Sequence, residues 1–425
     1  MRIIELKIEE FDEYSLNSKL GNYCQTSLYA KVMGELGFDY DYIAMIDDTR
    51  EIVAASLILY KKIGIFYKYA YAPKGFLIDY EDEELLKTFI KLLKSYYKKR
   101  GFVLIKINPE IIIGNLNNQT LKITQNDSNY LIDTLKQLGF KRRKEVDPFD
   151  LLMPRLSAFI NIRDFKLNDI DKRIRTKIKN AQNKGLVLEV GTVDNIETFY
   201  GFVKNKVNRS IDYYRNFYNV YKKDNNIDLL LVKIDYEAYL ENAKNKYQEE
   251  LNRNAEYNEK IKNDPSDKNM NEKMNSDKNV IEYKKDLVEA TEGLKNRKFA
   301  YVAGALVIKY KDKVSILASG YDPKYKDSNA NYFLHNEIIE RYKSDYDYLD
   351  MGGIGGDFSE DSRYYGLDKF KLNFNPEVVE YIGEFDLITN KFAFKSLESN
   401  NTLEAEFLKS KPSGKITKEE KNENS

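Results

Sequence analysis

The sequence predicts a mixed α/β chain of two consecutive domains, the second interrupted by a helical hairpin. Residues 1–155 alternate strand-like and helix-like hydrophobic patterns. A second alternation occupies 156–234 and 297–398, and between its halves 235–296 carries apolar residues at heptad spacing on two limbs. A length of 425 residues accommodates two or three domains rather than one core.

In the first domain Met1–Ile8 alternates like a strand, and Leu28–Leu36 has the period of a helix that closes at Gly37. Asp41–Ile46 and Ile52–Lys61 read as paired strands around a polar turn, and Tyr67–Tyr71 as a third. Glu83–Arg100 is an amphipathic helix with Gly101 just past its end; the strand Phe102–Ile107 and a helix over Tyr130–Leu138 follow. The second domain opens with a basic helix over Ile170–Lys184, then a strand over Leu186–Gly191, a helix over Asn195–Val207 and a strand over Ile227–Ile234. After the interruption come a hairpin, Lys298–Tyr310 with Lys313–Gly320, a helix over Tyr332–Ser344, and strands over Tyr346–Met351 and Glu377–Phe385.

The interruption carries Tyr236, Leu240, Ala243, Tyr247 and Leu251 on one limb and Tyr283, Leu287, Ala290 and Leu294 on the other. Pro265 lies between them and cannot continue a helix, so the limbs are expected to fold back as an antiparallel hairpin, the alternative being a disordered charged insert. From Ser399 to the end, composition thins to Lys, Glu, Asn and Ser, a solvated tail.

Composition excludes several classes. The 68 basic and 68 acidic side chains cancel, which argues against a general nucleic-acid coat. One cysteine (Cys24) and one histidine (His335) give neither a disulfide framework nor a zinc site, and no metal or cofactor is expected. No stretch approaches the ~20 apolar residues of a spanning helix, and the first residues lack a signal peptide's apolar core, so a cytoplasmic protein is expected.

Four segments are candidates for chemistry. Tyr348–Phe358 is a strand running into Gly352, Gly353, Gly355 and Gly356 before Asp357, which permits close backbone approach to a ligand or serves as a tight turn. Downstream, Lys371 lies between Phe370 and Phe374; in a partly apolar site its cation would stabilise an oxyanion, and on the surface it would be solvated. In Tyr71-Ala72-Pro73-Lys74-Gly75-Phe76-Leu77-Ile78-Asp79, Asp79 is either a base or the cap of the helix that starts near Glu83. Lys172, Arg173, Arg175, Lys177, Lys179 and Lys184 make a basic face that attracts phosphate or is simply solvated, and Arg209, Tyr213, Tyr214, Arg215 and Tyr218 interleave guanidinium with aromatic rings.

In this order, these segments resemble the FemABX family. The early loop matches at Tyr71 to Asp79, a basic helix and Lys184-Gly185 open the second half, and the late Gly-Gly-x-x-Gly-Asp, Tyr-Gly-Leu, Phe-Lys series matches Gly352 through Lys371. The resemblance covers about residues 1–395, and the helical arm places the chain with the FemA/FemB branch. It implies two domains of the GNAT acyltransferase fold and transfer of an amino acid from aminoacyl-tRNA to the stem-peptide amine of a lipid-linked or UDP-linked muropeptide precursor. The alternative is an N-acyltransferase with a protein or lipid acceptor. Lys371 falls on the family's oxyanion lysine and Lys31 on its precursor-phosphate lysine, with Arg209 and Arg215 for a second phosphate contact. Asp79 is the candidate proton acceptor. Tyr71, Lys74, Tyr213, Tyr218, Gly353, Gly355, Asp357 and Phe370 are the further substrate contacts expected. A homodimer or related transferases are expected partners, with peripheral contact at the membrane.

The sequence departs from the family at Phe76, where a second proline is usual, and at Ile316-Leu317-Ala318, where tyrosines are. The phosphate cradle of acetyl-CoA enzymes is missing. Gln182–Gly185 and Arg363–Gly366 come closest, but Val187 and Asp368 spoil the last position. Free acyl-CoA is therefore disfavoured as donor.

Overall fold

The computed structural model describes residues 1–143, 152–206 and 209–399, so the predicted tail beyond Ser399 and the end of the helix predicted to Val207 lie outside the described residues. The chain opens with β1 (Arg2–Glu5) and turns at once into α1 (Ile8–Asn17), whose start is held by the Glu10 carboxylate accepting the Lys7 N–H at 3.0 Å. The single strand expected over Met1–Ile8 therefore ends early, because the Glu10 carboxylate reaching back to the Lys7 N–H offers the backbone a helix start. Next come α2 (Ser27–Glu35), β2 (Asp39–Ile46), β3 (Ile52–Ile63), β4 (Tyr67–Ala72), α3 (Glu83–Lys99) and β5 (Phe102–Ile107). Thr26 caps α2, and Asp82 rather than Asp79 caps α3 through the Leu85 N–H at 2.9 Å. Two strands absent from the sequence reading follow, β6 (Ile112–Asn117) and β7 (Lys122–Gln125), then α4 (Leu131–Gln137) and β8 (Phe140–Arg142).

The second half runs β9 (Leu156–Asn161), α5 (Lys172–Asn183), β10 (Leu186–Gly191), α6 (Ile196–Val203), α7 (Ile211–Lys222) and β11 (Ile227–Asp235). The arm is α8 (Tyr236–Asn263) and α9 (Asp267–Asn296), followed by β12 (Phe299–Tyr310), β13 (Lys313–Tyr321) and α10 (Ala330–Tyr342). The chain closes with β14 (Tyr348–Ile354), α11 (Tyr365–Leu372), β15 (Glu377–Tyr381), β16 (Phe385–Ile388) and α12 (Lys391–Ser399).

These strands build two sheets, of seven and nine strands, in the orders β1-β2-β3-β4-β5-β16-β8 and β10-β11-β12-β13-β14-β9-β15-β6-β7. Strands cross the sequence division at residue 155 in both directions. β6 and β7 join the second sheet, and β16, from the C-terminal end, enters the first between β5 and β8. The two halves are thus laced together, and a core of α2, α6 and α7 side chains, including Tyr29, Phe199 and Phe217, packs between them. The helices of the arm lie against each other. Tyr236, Tyr239, Ala243 and Ala290 are buried at its root, and Asn254 Nδ2 donates to Ser276 Oγ at 3.1 Å farther out. Tyr239 rather than Tyr247 fills the seam at the root, where the arm meets the second sheet's core.

Candidate active site

Strand β14 runs parallel to β13 and antiparallel to β9, with an irregular register between Asp350 and Gly353. Gly352 and Gly356 have φ of 78° and 82°, a left-handed backbone that a side chain would strain. The loop they form is held from α11. Both oxygens of the Asp368 carboxylate accept backbone N–H groups, from Gly355 at 2.7 Å and Gly356 at 3.0 Å. A Cβ on Gly355 would come within 2.7 Å of Tyr364 Cβ and 2.9 Å of that carboxylate, so the close approach needs glycine. Burial raises the Asp368 pKa, against the two amide bonds and the charge of Lys371.

Lys371 stands one helical turn after Asp368 on α11. Its Nζ donates to the Gly353 carbonyl at 2.5 Å, and only 7% of the residue is exposed. Burial pushes its pKa down to about 8, while the charges of Asp350 and Asp368 act in the opposite direction. Behind it the rings of Tyr332, His335, Phe370 and Phe374 form a cluster with centroids 4.8–6.1 Å apart. Lys177 of the basic helix α5 sits 4.6 Å above the Tyr332 ring.

His335 lies inside this cluster, with Nδ1 2.9 Å from the Asn331 carbonyl oxygen. Burial is the main cause that pushes its pKa down to about 4, with the charges of Lys371 and Lys206 acting the same way. Its proton is therefore bound later than in the unfolded chain. The stability it contributes is complete above the ordinary value of 6.5 and is lost as pH falls toward about 4. Because the chain has one histidine, NMR of its imidazole isolates this group. Titration near 4 is expected, and titration near the ordinary value would contradict the burial.

A second set of polar groups gathers at the carboxyl ends of β4 and β5. Lys74, at φ 53°, pairs with Glu110 at 2.6 Å, each side chain 12% exposed. Burial alone would push the Lys74 ammonium down, but the charge of Glu110, with that of Asp350, holds it above its ordinary value. Burial likewise opposes the Glu110 charge, and Lys74 and Lys313 overcome it to hold that carboxyl low. Asn108 Oδ1 accepts from the Lys74 N–H at 2.8 Å and from Tyr71 Oη at 3.2 Å, fixing the loop. The pair opens into a cleft lined also by Asn22, Tyr23, Tyr310 and Lys313, which places it where the β12–β13 hairpin meets the first sheet's loops. Asp350 ties this cleft to the glycine loop. Its charge acts on Lys371 on one side and on Lys74, Tyr23 and Tyr381 on the other.

The site can bind anions, polarise a carbonyl and hold a glycine-walled strand end against an extended ligand. It offers no ready nucleophile of its own at neutral pH, since burial pushes the Cys24 thiol up to about 12. Among the described residues no cluster of His, Cys, Asp and Glu is arranged to hold a metal.

The sequence profile of the FemAB family matches residues 6–401. The chain belongs to the FemAB family. Over 415 residues it is 25% identical to the lipid II:glycine glycyltransferase of Staphylococcus aureus strain USA300, covering 94% of this chain and 95% of that protein. The same-named protein of strain MRSA252 is matched to the same extent. In structure the chain superposes on FemX with a TM-score of 0.74 at 23% identity, covering 94% of this chain and 100% of FemX. The arm suggested the FemA/FemB branch, and these relatives carry the FemX and glycyltransferase names.

Within this FemAB chain the residues singled out from the sequence divide. Lys371, Phe370, Gly353 and Gly355 meet at the glycine loop. Tyr71, Lys74, Arg209 and Tyr213 gather around the first-domain cleft, with Arg209 5.0 Å above the Tyr213 ring and its charge felt by Tyr71. Asp79, Arg215 and Tyr218 are engaged elsewhere, and Asp357 borders the glycine loop, where its charge acts on Asp368. Lys31 is exposed on α2, and Asp79 is exposed with its carboxylate accepting the Glu81 N–H at 2.9 Å. Arg215 pairs with Asp212 at 2.7 Å on the outside of α7, and Tyr218 Oη donates to the Gly191 carbonyl at 3.3 Å. Asp357 is exposed and accepts from Ser359 Oγ at 2.8 Å. Asp368, Asp350, Glu110 and Asn108 were missed. Asp368 was legible as an acid three residues before Lys371 on one helix face, and Asn108-Pro109-Glu110 as a turn at the end of a buried strand.

Proposed function

We propose that this FemAB protein transfers an amino acid from aminoacyl-tRNA to the stem-peptide amine, or growing bridge, of a lipid-linked peptidoglycan precursor. The observation that carries the reading is the buried Lys371 ammonium anchored on the glycine loop. The lipid II:glycine glycyltransferase named among its relatives supports the acceptor and makes glycine the first amino acid to try. In this reading the halves are two GNAT-like acyltransferase domains and the two-helix arm is a short coiled coil.

An aminoacyl ester is already activated, so no covalent nucleophile or metal is required. The neutral acceptor amine attacks the ester carbonyl carbon, a C–N bond forms and the carbonyl oxygen takes up negative charge. Lys371, 2.5 Å from a carbonyl of the loop in the free protein, transfers its hydrogen bond to that oxyanion in a poorly hydrated setting where it is worth more than in water. Collapse breaks the C–O bond to the ribose, and the proton lost by the amine ends on the leaving hydroxyl. Lys74, Arg209 and the other cations of the cleft hold the precursor's phosphates and carboxylates.

Asp368 acts through the loop. Asp368→Asn replaces an acceptor of two N–H groups by a group with one acceptor oxygen, and is expected to lower kcat by roughly tenfold while KM changes little. Steady-state kinetics decide the point, and an effect confined to KM contradicts it. The function itself is tested by mass spectrometry of a muropeptide acceptor incubated with glycyl-tRNA and the protein. One added amino-acid residue on the stem amine is expected, and an unmodified acceptor with every charged tRNA tried contradicts the reading.

A further inference from the structure

Three of the most exposed large apolar side chains lie at one end of the first sheet. Ile65 and Phe66, at the tip of the β3–β4 hairpin, are 88% and 80% exposed, and Phe392 at the start of α12 is 86% exposed. They share that end because the neighbours of Phe392, Ala393 and Phe394, pack in one cluster with Ile63 and Tyr69 of the hairpin. The C-terminal end of α3 adjoins the tip as well. The Lys68 N–H donates to the Gly101 carbonyl at 3.1 Å, and a Cβ on Gly101 would lie 3.1 Å from the Phe66 carbonyl oxygen.

Around these side chains lysines predominate among the described residues. Lys62 stands opposite Lys68 in the hairpin register, and Lys391 and Lys98 lie close enough to Lys94 for their charges to add to burial in depressing its ammonium. The nearby carboxylates are already taken. Asp41 is bound by Arg100 at 2.7 Å and Glu398 by Lys141 at 2.6 Å. Folding leaves these apolar groups in water and sets lysines beside them, an arrangement that a packed protein core does not reward. Protruding aliphatic and aromatic groups ringed by lysines match an anionic lipid surface, where the rings enter the headgroup layer and each ammonium meets negative charge.

We infer that the β3–β4 hairpin tip, the end of α3 and the start of α12 form a docking surface for an anionic phospholipid membrane. The inference takes its biological sense from the proposed lipid-linked acceptor. Strand β4, six residues and about 20 Å long, separates the surface from Lys74, so docking and chemistry are separable. A hairpin tip offering Ile65 beside Phe66 suits lipid better than RNA, which is gripped by flat stacking platforms in a groove.

The test is co-sedimentation of the full chain with vesicles of phosphatidylglycerol and phosphatidylcholine, and with phosphatidylcholine alone, without acceptor. Binding is therefore read independently of the proposed transfer reaction. The protein is expected to sediment with the anionic vesicles and only weakly with the neutral ones. The Phe66→Asp, Phe392→Asp double variant should bind at least about tenfold more weakly, with an unchanged thermal melt. Lys62→Glu with Lys391→Glu should lose the preference for anionic vesicles. No vesicle binding, equal binding by the double variant, or displacement of the protein from vesicles by tRNA would overturn the inference. So would a concentration-dependent dimer that the double variant abolishes.

Discussion

Replacing Lys371 by methionine is expected to lower turnover on the order of 10²–10³-fold with little change in stability. Methionine keeps the length and apolar stem of the buried side chain but removes the ammonium that reaches the loop carbonyl. In the proposed mechanism the loss falls on kcat, because the charge that Lys371 would neutralise exists only in the transition state. The lysine also gives the reaction a pH signature. With its pKa pushed down to about 8 by burial, the cation is present below that value and lost above it. Single-turnover rates should therefore decline as pH rises above about 8, and Lys371→Arg should move the decline to higher pH. A rate that keeps rising through this range would mean the lysine works as a neutral base, contrary to the mechanism above.

The largest effect on stability is expected at Lys106. Its ammonium lies between Asp386 at 2.8 Å and Glu384 at 3.3 Å, joining β5 to the C-terminal strand β16, and all three residues are 2–3% exposed. Lys106→Met leaves two carboxylates in a poorly hydrated place with less compensation, a loss of about 3–5 kcal/mol. Urea unfolding measures it, and a loss below about 1 kcal/mol would mean water already screens the cluster. A triple replacement of Lys106, Glu384 and Asp386 by apolar residues should recover much of the loss, because the penalty belongs to the unpaired charges rather than to a missing attraction. The expected change concerns the fold, but it bears on function: β16 enters the first sheet from the far end of the chain, so its pairing helps set the two halves in register.

Local signals made most elements readable. The helix of α3, the hairpin of β12 and β13 and the glycine-rich end of β14 each carry a period or turn chemistry within a few residues. What escaped was set by distant partners. β6 and β7 are short, and they become strands by joining a sheet whose other members come mostly from the second half. β16 reads as the end of the preceding strand until Gly383, at φ 90°, turns the chain into the other sheet. α1 was lost because the apolar Ile4, Leu6 and Ile8 alternate like a strand whether or not the Glu10 carboxylate starts a helix at Lys7.

The site divided in the same way. Lys371 and the glycines were legible because their chemistry is carried by one contiguous run, from Gly352 to Phe374. The cleft in the first half was legible in Tyr71 and Lys74 but not in Glu110, since a lysine's partner lies 36 residues away in the chain. Arg209 and Arg215 looked equivalent in the sequence. Folding α7 sends Arg209 over Tyr213 toward the cleft and Arg215 outward to Asp212 and Glu197. Arg209 precedes the N-cap Ser210, so its direction is set by the turn into the helix, while Arg215 lies on the helix itself.

The central claim is that Lys371 serves the transfer of an amino acid from tRNA to a lipid-linked muropeptide. It is tested most directly by incubating the protein with a radiolabelled charged-tRNA pool and purified lipid-linked muropeptide, beside the same pool deacylated by mild base. The account predicts label in the lipid fraction from the charged pool alone, reduced on the order of 10²–10³-fold by Lys371→Met. Equal labelling by the Lys371→Met protein, or labelling from free amino acid after deacylation, would contradict it.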